Sequence, residues 1–384
     1  MTKKSDTPAI RFKGFTDTWE QRKAKELCNI GTGKSNTQDQ VENGLYPFYI
    51  RSDIPVKSNK YLYDCEAVIT IGDGNIGRVF HYVNGKFDLH QRCYKMTDFQ
   101  DIWGKYFYYF FSTRFYDRAM KMTAKATVDS VRLEMISEMD IWKPIQIDEQ
   151  KKIAEFFTNL DNLITLHQRK YDKLTNVKKS MLEKMFPKNG SNVPEIRFKG
   201  FTEAWEQRKV TELGKIYIGL VTTMTAHYTD EGTLLIRNSD IKDGRFEFGE
   251  KPIFLEKSFA MANESRMHQI GDVITVHTGD VGTSAVISEN EDKSIGFATI
   301  VTRPNKTIID PSYLCTFLNT ERHKKWAVAI STGDGRTNYN LGDYFELVVP
   351  VPSIKEQKQI AMFIENLNNL ITLHQRKRLS SIQT

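Results

Sequence analysis

The chain contains a long internal duplication. The segment NLITLHQRK occupies residues 162–170 and returns, with all nine residues identical, at residues 369–377. The likeness extends upstream, where EQKKIAEFFTNLD corresponds to EQKQIAMFIENLN. A second pair lies nearer the N-terminus: PAIRFKGFTDTWEQRKAKEL from Pro8 returns as PEIRFKGFTEAWEQRKVTEL from Pro194. Two long segments repeated in the same order predict two copies of one structural unit.

Each copy has the same order of parts: an entry motif containing FKGFT and WEQRK, a variable block, and a helical segment. The variable blocks, residues 28–144 and 214–352, share far less sequence than their flanks, and the second is the longer. The sequence therefore predicts two globular domains, each followed by a helix. The predicted boundaries are 1–144 and 188–352 for the domains, with 145–187 and 353–384 for the helices.

The helical segments have the residue spacing of a coiled coil. Seam positions recur at alternating steps of four and three residues and are mostly apolar, as in helices that pack along one face. The sequence SIKE, just before the second seam, has the form of a capping box that would start the helix. The predicted seam residues are Ile153, Phe157, Leu160, Ile164 and His167 in the first copy, and Ile360, Ile364, Leu367, Ile371 and His374 in the second.

Two interpretations of these helices are open. They could be unrelated amphipathic helices, each packed on its own domain. Polar residues between the seam positions are duplicated as well, which favours equivalent surroundings for both helices. We therefore predict that they pair as an antiparallel coiled coil with pseudo-twofold symmetry. The first helix, over residues 148–186, would be roughly 58 Å long. The second is expected to be shorter, because RLSSIQT follows its repeated segment.

Both variable blocks are typical of α+β domains. Short apolar runs are interrupted by glycine turns in YLYDCEAVITIGDGNIGRVFHYV and in HQIGDVITVHTGDVGTSAVI, which indicates strands joined by tight turns. Within them, ITIGDGNIG and ITVHTGDVG are predicted to occupy equivalent places. The later segments WGKYFYYFFSTRFYDRAM and PSYLCTFLNTERHKKWAV have helical patterns.

Loops between the predicted strands carry side chains suited to DNA. Arg, Asn and Gln can make paired hydrogen bonds to base edges, and Ser, Thr and Lys commonly contact phosphates. A net charge of +6 mildly favours a polyanionic partner, although an ordinary basic protein has the same charge. Taken singly, each residue is more often a solvated loop residue than a base contact. The candidates are Lys34, Ser35, Asn36, Arg51, Asn75, Arg78, His90, Gln91, Arg92, Ser130 and Arg132 in the first block, and Thr222, Thr223, Arg237, Asn238, Ser239, His277, Thr278, Thr283, Arg336, Thr337, Asn338 and Asn340 in the second.

Patterns that would indicate an enzyme are absent or incomplete. NIGTGKSN resembles a phosphate-binding loop, but Cys28 stands where the first glycine is required. GDGNIG precedes a predicted strand, whereas a dinucleotide-binding loop opens a helix. The four cysteines and most histidines are scattered, so no catalytic residue, metal site or bound cofactor is predicted. No window approaches 18 uninterrupted apolar residues, so the protein is expected to be cytoplasmic with no membrane partner.

The organisation as a whole resembles the DNA-specificity subunit of Type I restriction-modification systems. The resemblance spans nearly the full chain. It rests on FKGFTDTWEQRK and FKGFTEAWEQRK, on EQKKIAEFFTNLDNLI and EQKQIAMFIENLNNLI, and on their order around two variable blocks. In the second block, IRNSDIKDGRF and GDVITVHTGDVG look like recurrent pieces of that family's target-recognition domains.

The resemblance implies a non-catalytic subunit that binds double-stranded DNA. Each variable block would be a target-recognition domain for one half of a bipartite sequence. The paired helices would set the distance between the halves and dock two methyltransferase subunits, and restriction-translocase subunits would complete the complex. S-adenosylmethionine, ATP and Mg²⁺ would be bound by those partners. Two alternatives stay open: a specificity subunit for a related system with a fused methyltransferase-nuclease partner, and a coiled-coil adaptor that does not bind DNA.

Overall fold

The computed structural model describes residues 8–123, 130–188, 190–331 and 337–383. The chain forms two compact units, unit 1 over residues 1–164 and unit 2 over residues 165–384. Their boundary falls inside a helix that runs from Ile147 to Lys184. No helix among the described residues is both long and apolar enough to cross a membrane.

Unit 1 is an α+β domain whose largest sheet has six strands. The sheet order is β2-β7-β5-β6-β3-β4, with β3 and β6 parallel and the other neighbours antiparallel. The strands are β1 (Trp19–Lys23), β2 (Asn29–Thr32), β3 (Tyr46–Tyr49), β4 (Val56–Ser58), β5 (Tyr63–Ile71), β6 (Phe80–Leu89), β7 (Cys93–Thr97) and β8 (Asp140–Pro144). The helices are α1 (Ala24–Leu27), α2 (Gly104–Thr123), α3 (Leu133–Ser137) and α4 (Ile147–Lys184), the last of which continues into unit 2.

Helix α2 covers one face of this sheet with aromatic side chains. Phe107, Phe111 and Phe115 recur every four residues, so they lie on one side of the helix, and all three are fully buried. Neighbouring rings stack at centroid distances of 5.5 and 4.5 Å. Phe80 of β6 packs edge-on against Phe111 at 5.6 Å. The helical pattern predicted for this stretch is thus present, and its buried face explains its aromatic content.

Unit 2 repeats the plan with smaller sheets. One sheet has the order β10-β19-β16-β17, and another has the order β11-β15-β12-β18, in which β12 and β18 are parallel. The strands are β9 (Glu206–Lys209), β10 (Gly214–Ile218), β11 (Tyr228–Thr229), β12 (Thr233–Ile236), β13 (Ile241–Lys242), β14 (Arg245–Phe246), β15 (Phe254–Leu255), β16 (Val273–Thr275), β17 (Ser284–Val286), β18 (Ile295–Gly296), β19 (Ile300–Pro304) and β20 (Val348–Val351). The helices are α5 (Lys257–Ala262), α6 (Pro311–Leu318), α7 (Glu321–Ile330), α8 (Leu341–Phe345) and α9 (Ile354–Gln383).

The second predicted helical stretch, PSYLCTFLNTERHKKWAV, forms two helices. Helix α6 ends before Asn319, and Thr320 starts α7 by accepting a hydrogen bond from the His323 amide. Thr320 therefore acts as an N-cap, which satisfies an amide that the helix itself leaves free. The sequence pattern gave the helical content correctly but not this break.

In both units the entry motif pairs with the strand that leads into the long helix. Strand β1 is antiparallel to β8, and β9 is antiparallel to β20. The entry motif, which precedes the variable block, therefore meets the last strand of that block in space, just before the long helix begins. We call this meeting point the joint; it consists of the entry motif, its partner strand and the first turns of α4 or α9.

A buried ion pair and two aromatic contacts recur in both joints. Arg11 donates two hydrogen bonds to Glu149, at 2.6 and 2.8 Å, and Arg197 does the same to Glu356 at 2.7 and 2.8 Å. Two further contacts are duplicated: the tryptophan of WEQRK meets a helix tyrosine edge-on, and the first phenylalanine of FKGF meets a helix phenylalanine. These pairs are Trp19 with Tyr106 and Trp205 with Tyr313, both at 6.2 Å, and Phe12 with Phe156 and Phe198 with Phe363, at 6.1 and 5.9 Å.

The predicted capping box at residues 353–356 is only half realised. Ser353 accepts a hydrogen bond from the Glu356 amide at 3.4 Å, as an N-cap residue should. The Glu356 carboxylate, however, binds Arg197 of the entry motif. A glutamate that would close the cap in an isolated helix is used here to tie the helix to its domain.

The glutamine after each of these glutamates is fully buried and holds three backbone groups. Gln150 accepts from the Trp103 amide and donates to the carbonyls of Pro144 and Asp101. Gln357 accepts from the Asp310 amide and donates to the carbonyls of Pro352 and Ile308. Each glutamine therefore connects the helix, its preceding strand and the domain core.

We expect Gln357→Ala to lower the free energy of unfolding of unit 2 by about 2 kcal/mol or more, because it leaves a buried amide and two carbonyls without partners. Gln359→Ala is the matched control, since Gln359 is exposed on the same helix. Urea unfolding followed by tryptophan fluorescence would measure both changes. Equal destabilisation by the two substitutions would show that the Gln357 contacts do not hold the joint.

Candidate nucleic-acid interface

In unit 2, four predicted residues from three separate segments converge beside the end of β16. Thr278 forms an isolated antiparallel bridge with Asn338, and its hydroxyl donates to Asn338 Oδ1 at 2.9 Å. The same hydroxyl lies 2.7 Å from His277 Nδ1. The His277 amide donates to Asn238 Oδ1 at 2.8 Å. These side chains are half-buried, so each is held in place while part of it faces solvent. We call them the unit 2 edge.

The turn that carries Thr278 packs against a buried histidine. Gly282 has a φ of +83°, and a Cβ at that position would lie 3.1 Å from His323 Cε1, so glycine fits both the backbone and the close approach. His323 Nδ1 lies 2.6 Å from the carbonyl of Leu318, and burial lowers the pKa of His323 to about 4. The Tyr339 amide donates to the His277 carbonyl at 2.8 Å, which ties the other segment of the edge to the same support.

The remaining unit 2 candidates differ in their exposure and contacts. Arg237 makes a bidentate pair with buried Asp240, at 3.0 and 2.7 Å, and its side chain remains 36% exposed. Thr283 is buried and donates to Asp280 at 2.7 Å, so it stabilises the turn and presents no side-chain surface. Thr337 is half-buried, Arg336 lies outside the described residues, and Thr222, Thr223, Ser239 and Asn340 are exposed.

In unit 1, an aspartate that the sequence analysis did not select organises the candidates. Asp73 follows β5, forms an isolated antiparallel bridge with Ser130, and accepts hydrogen bonds from Arg92 at 2.7 Å and Arg51 at 3.2 Å. Burial alone would raise the pKa of Asp73, but the two arginines outweigh it and hold this pKa below its ordinary value. The Gly-Asp turn was the available signal.

Other unit 1 candidates surround this cluster. Gln91 donates to Asn36 at 2.6 Å, which brings two further candidate side chains together. Arg78 lies over the Tyr116 ring, 4.4 Å from its centroid. Ser35 and His90 are buried, at 2% and 5% exposure, and stabilise their loops. Lys34, Asn75 and Arg132 are exposed, and residues 127–129 of the polar stretch before Arg132 lie outside the described residues. Together, Asn36, Arg51, Asp73, Gln91, Arg92 and Ser130 form the unit 1 edge.

The two edges occupy the same place in the topology of their units. In each, a residue two or three positions after a central strand bridges a segment late in the domain: Asp73 after β5 bridges Ser130, and Thr278 after β16 bridges Asn338. A parallel bridge recurs as well, Ser35 with His90 in unit 1 and Leu220 with Phe297 in unit 2. The predicted equivalence of ITIGDGNIG and ITVHTGDVG is therefore confirmed.

Within the described parts of the chain, no three His, Cys, Asp or Glu residues gather as a metal site. Burial raises the pKa of the thiols of Cys28, Cys93 and Cys315 to about 12. Such thiols stay protonated at neutral pH and are poor nucleophiles.

The predicted seam residues are mostly the less exposed positions of their helices. Ile360, Ile364 and Leu367 are buried, and Ile153, Leu160, Ile164, His167, Ile371 and His374 are half-buried. Phe157 differs, because it is 42% exposed and packs against Tyr109 of α2 at 5.4 Å. Within unit 2, His167 of α4 contacts His374 of α9. Antiparallel pairing along the whole seam stays a prediction.

Comparison with known proteins shows the family. The model of the Type I restriction modification DNA specificity domain matches residues 16–176 and again residues 202–384. The chain belongs to this family. Each match begins in an entry motif and includes one edge, so the two family domains follow the duplication seen in the sequence.

Individual relatives in this family match different shares of the chain. The MjaVIII specificity subunit of Methanocaldococcus jannaschii is 22% identical over 94% of this chain and 89% of its own length. The EcoBI specificity subunit of Escherichia coli is 28% identical over 36% of this chain and 29% of its own. The crystal structure of a Type I system S subunit from M. genitalium has a TM-score of 0.61 at 14% identity, covering 98% of this chain and 96% of that one. The likeness to that structure confirms the predicted fold of tandem α+β domains with long helices.

Membership in the DNA specificity family gives the chain a role in DNA sequence recognition within a restriction-modification system. Specificity subunits of this family are not catalytic. The family resemblance and the role in DNA recognition predicted from the sequence are therefore confirmed. The alternative of an adaptor that does not bind DNA is not favoured.

Unit 2 of this family member should lose stability in mild acid. An unfolded histidine has a pKa of about 6.5, whereas that of folded His323 is lowered to about 4. Between these values the unfolded state binds the extra proton. The free energy of unfolding is therefore fully present above pH 6.5 and falls as the pH drops, by up to about 1.4 kcal/mol per pH unit for this residue.

Urea midpoints at pH 7.5 and pH 5.0 would test this. His323→Gln should reduce the difference between the two midpoints without abolishing it, because buried His268, whose pKa is also lowered by burial, to about 3, still titrates. An unchanged difference in the variant would contradict the assignment.

Proposed function

We propose that each unit reads one half of a bipartite duplex-DNA target, unit 1 through the unit 1 edge and unit 2 through the unit 2 edge. The observation that carries this proposal is that one topological position is used twice with different side chains. Arginine and glutamine dominate in unit 1, whereas asparagine, threonine and histidine dominate in unit 2. Because the two edges present different hydrogen-bond donors and acceptors at equivalent positions, they suit two half-sites of different base sequence.

The chemistry of the edges supports recognition of base edges. Arginine and asparagine make paired hydrogen bonds to guanine and adenine in the major groove, each worth about 1 to 3 kcal/mol of discrimination. Such contacts require side chains that are already oriented, since ordering a long side chain costs conformational entropy. Asp73 orients Arg92, and Asp240 orients Arg237, so part of that cost is met in folding.

Two reading units on one chain also gain affinity by linkage. Once one half-site is bound, the other unit is held at a high effective concentration near its own half-site. In this proposal residues 1–144 and 188–352 are the target-recognition domains, and 145–187 and 353–384 are the helices that fix the gap between the half-sites. Phosphate contacts would add affinity that falls with rising salt.

We further propose that two methyltransferase subunits dock on the two helices. Leucines outside the seam are duplicated and equally exposed, Leu163 at 45% with Leu370 at 43%, and Leu166 at 46% with Leu373 at 44%. Exposed apolar residues repeated on two helices suit two copies of one partner. Restriction-translocase subunits would join this complex, and S-adenosylmethionine, ATP and Mg²⁺ would be bound by the partner subunits.

The first test is to express the chain with its methyltransferase partner and to map methylated bases across a host genome. The wild-type chain should give a split motif with a fixed gap. Arg92→Ala should relax the first half of the motif only, and Asn338→Ala the second half only, with a loss of about 1 to 3 kcal/mol at the altered position.

Matched controls are Arg22→Ala in the entry motif and Asn290→Ala in an exposed turn, neither of which should alter the motif. If either Arg92→Ala or Asn338→Ala changed both halves, or if neither changed the motif, the assignment of one half-site to each unit would be wrong.

The role of α4 as the spacer has its own test. Four residues inserted between Arg169 and Leu174 add about 6 Å of helix. We expect the gap in the methylated motif to change, by about two base pairs, because each base pair spans about 3.4 Å. The same four residues inserted after Asn290, in an exposed turn, should leave the gap unchanged. A gap that is identical in all three proteins would show that the helix does not set the spacing.

A further inference from the structure

The two histidines of the duplicated segment meet in space. His167 of α4 and His374 of α9 are 207 residues apart in sequence, yet their Nδ1 atoms lie 3.1 Å from each other. Their ring centroids are 5.3 Å apart, and the ring planes differ by 37°. Both side chains are half-buried, and both belong to unit 2. The sequence analysis placed both in the helix seam and predicted no metal site, because each histidine is alone in its own segment.

The facing nitrogen atoms have the separation of two ligands on one metal ion. Two imidazole nitrogens at about 2.0 to 2.1 Å from a tetrahedral Zn²⁺ are about 3.3 Å apart. Two nitrogens in neighbouring positions of an octahedral Ni²⁺ are about 3.0 Å apart. The observed 3.1 Å lies between these values. A hydrogen bond between two neutral imidazoles also fits this distance, so the two arrangements must be separated by experiment.

We propose that His167 and His374 form a two-histidine site for a divalent transition-metal ion such as Zn²⁺ or Ni²⁺, each histidine binding through Nδ1, with water completing the coordination. In the metal-free state one Nδ1–H donates to the other Nδ1. Binding requires both rings to carry their proton on Nε2, so one proton moves within its ring through solvent. No net proton is released, and nothing is oxidised or reduced.

The nearby cations set the strength of this site. Lys170 lies one helical turn after His167, and Lys377 lies one turn after His374. Their positive charges repel a dication, and the chain supplies two ligands where structural zinc sites have four. The site is therefore weaker than a structural zinc site, and removal of a lysine charge should strengthen it.

A metal ion at this position would connect α4 to α9 within the longest segment that is identical in the two copies. It would fix the register of the two helices at their contact, in the way that a buried polar pair does in a coiled coil. The proposal does not depend on how the edges read DNA.

The test uses the full-length chain without a histidine tag, titrated with ZnCl₂ and separately with NiCl₂ at pH 7.5 in a calorimeter. One equivalent of either ion should bind and should raise the melting temperature. His167→Gln and His374→Gln should each weaken binding by about tenfold or more. Lys170→Gln should tighten binding by about two- to fivefold, because it removes a repulsive charge.

His227→Gln is the matched control, since His227 is a histidine elsewhere in unit 2 that pairs with Glu256. It should leave the isotherm unchanged. The electron paramagnetic resonance spectrum of bound Cu²⁺ should show coupling to two nitrogen atoms in the wild type and to one in either His167→Gln or His374→Gln. The proposal is overturned if no ion binds, if both of these substitutions leave binding unchanged, or if Lys170→Gln weakens it.

Discussion

The structure depends on the attachment of each long helix to its domain through the first two buried side chains of the repeated helix motif. The glutamate takes both hydrogen bonds of an entry-motif arginine, and the glutamine holds an amide and two carbonyls from the surrounding core. A buried carboxylate is tolerated because the guanidinium matches its charge and geometry. Both joints place these groups identically, as Glu149 with Gln150 and as Glu356 with Gln357. The direction in which each helix leaves its domain is therefore fixed by the entry motif together with backbone groups of the variable block, such as the amide of Trp103 in unit 1 and that of Asp310 in unit 2.

The unit 1 and unit 2 edges are each assembled from segments far apart in sequence that the central sheet brings together. Charged or buried groups hold each edge in place. In unit 1, Asp73 lies between two arginines, and in unit 2, His323 packs against the turn. Prior ordering of this kind suits discrimination between bases, because a flexible arginine would lose part of its contact energy to conformational entropy.

The sequence predicted what local patterns and repetition determine. Periodicity and composition were enough to predict the duplication and the α+β class. They also predicted the extents of α2 and α4 and the equivalence of the two glycine turns. Long-range geometry did not follow. The role of Asp73 depends on two arginines that other segments of the sheet bring close to it. The break before α7 depends on a single threonine N-cap. The contact of Glu356 depends on an arginine in the entry motif. Of the 23 residues selected from the sequence as candidates for DNA contact, Ser35, His90 and Thr283 are buried. Residue type alone could not separate these supporting residues from exposed ones.

The pairing of β1 with β8, and of β9 with β20, joins the last strand of each variable block to the entry motif that precedes the block. The block therefore behaves as a cassette. Its ends are held at a fixed separation whatever sequence lies between them, provided that the sequence folds into a sheet whose ends reach the same two points. Breakpoints for chimeric proteins belong within the entry motif and just before the helix, where either parent supplies the same joint. New sequence specificities could be assembled in this way without redesign of the scaffold.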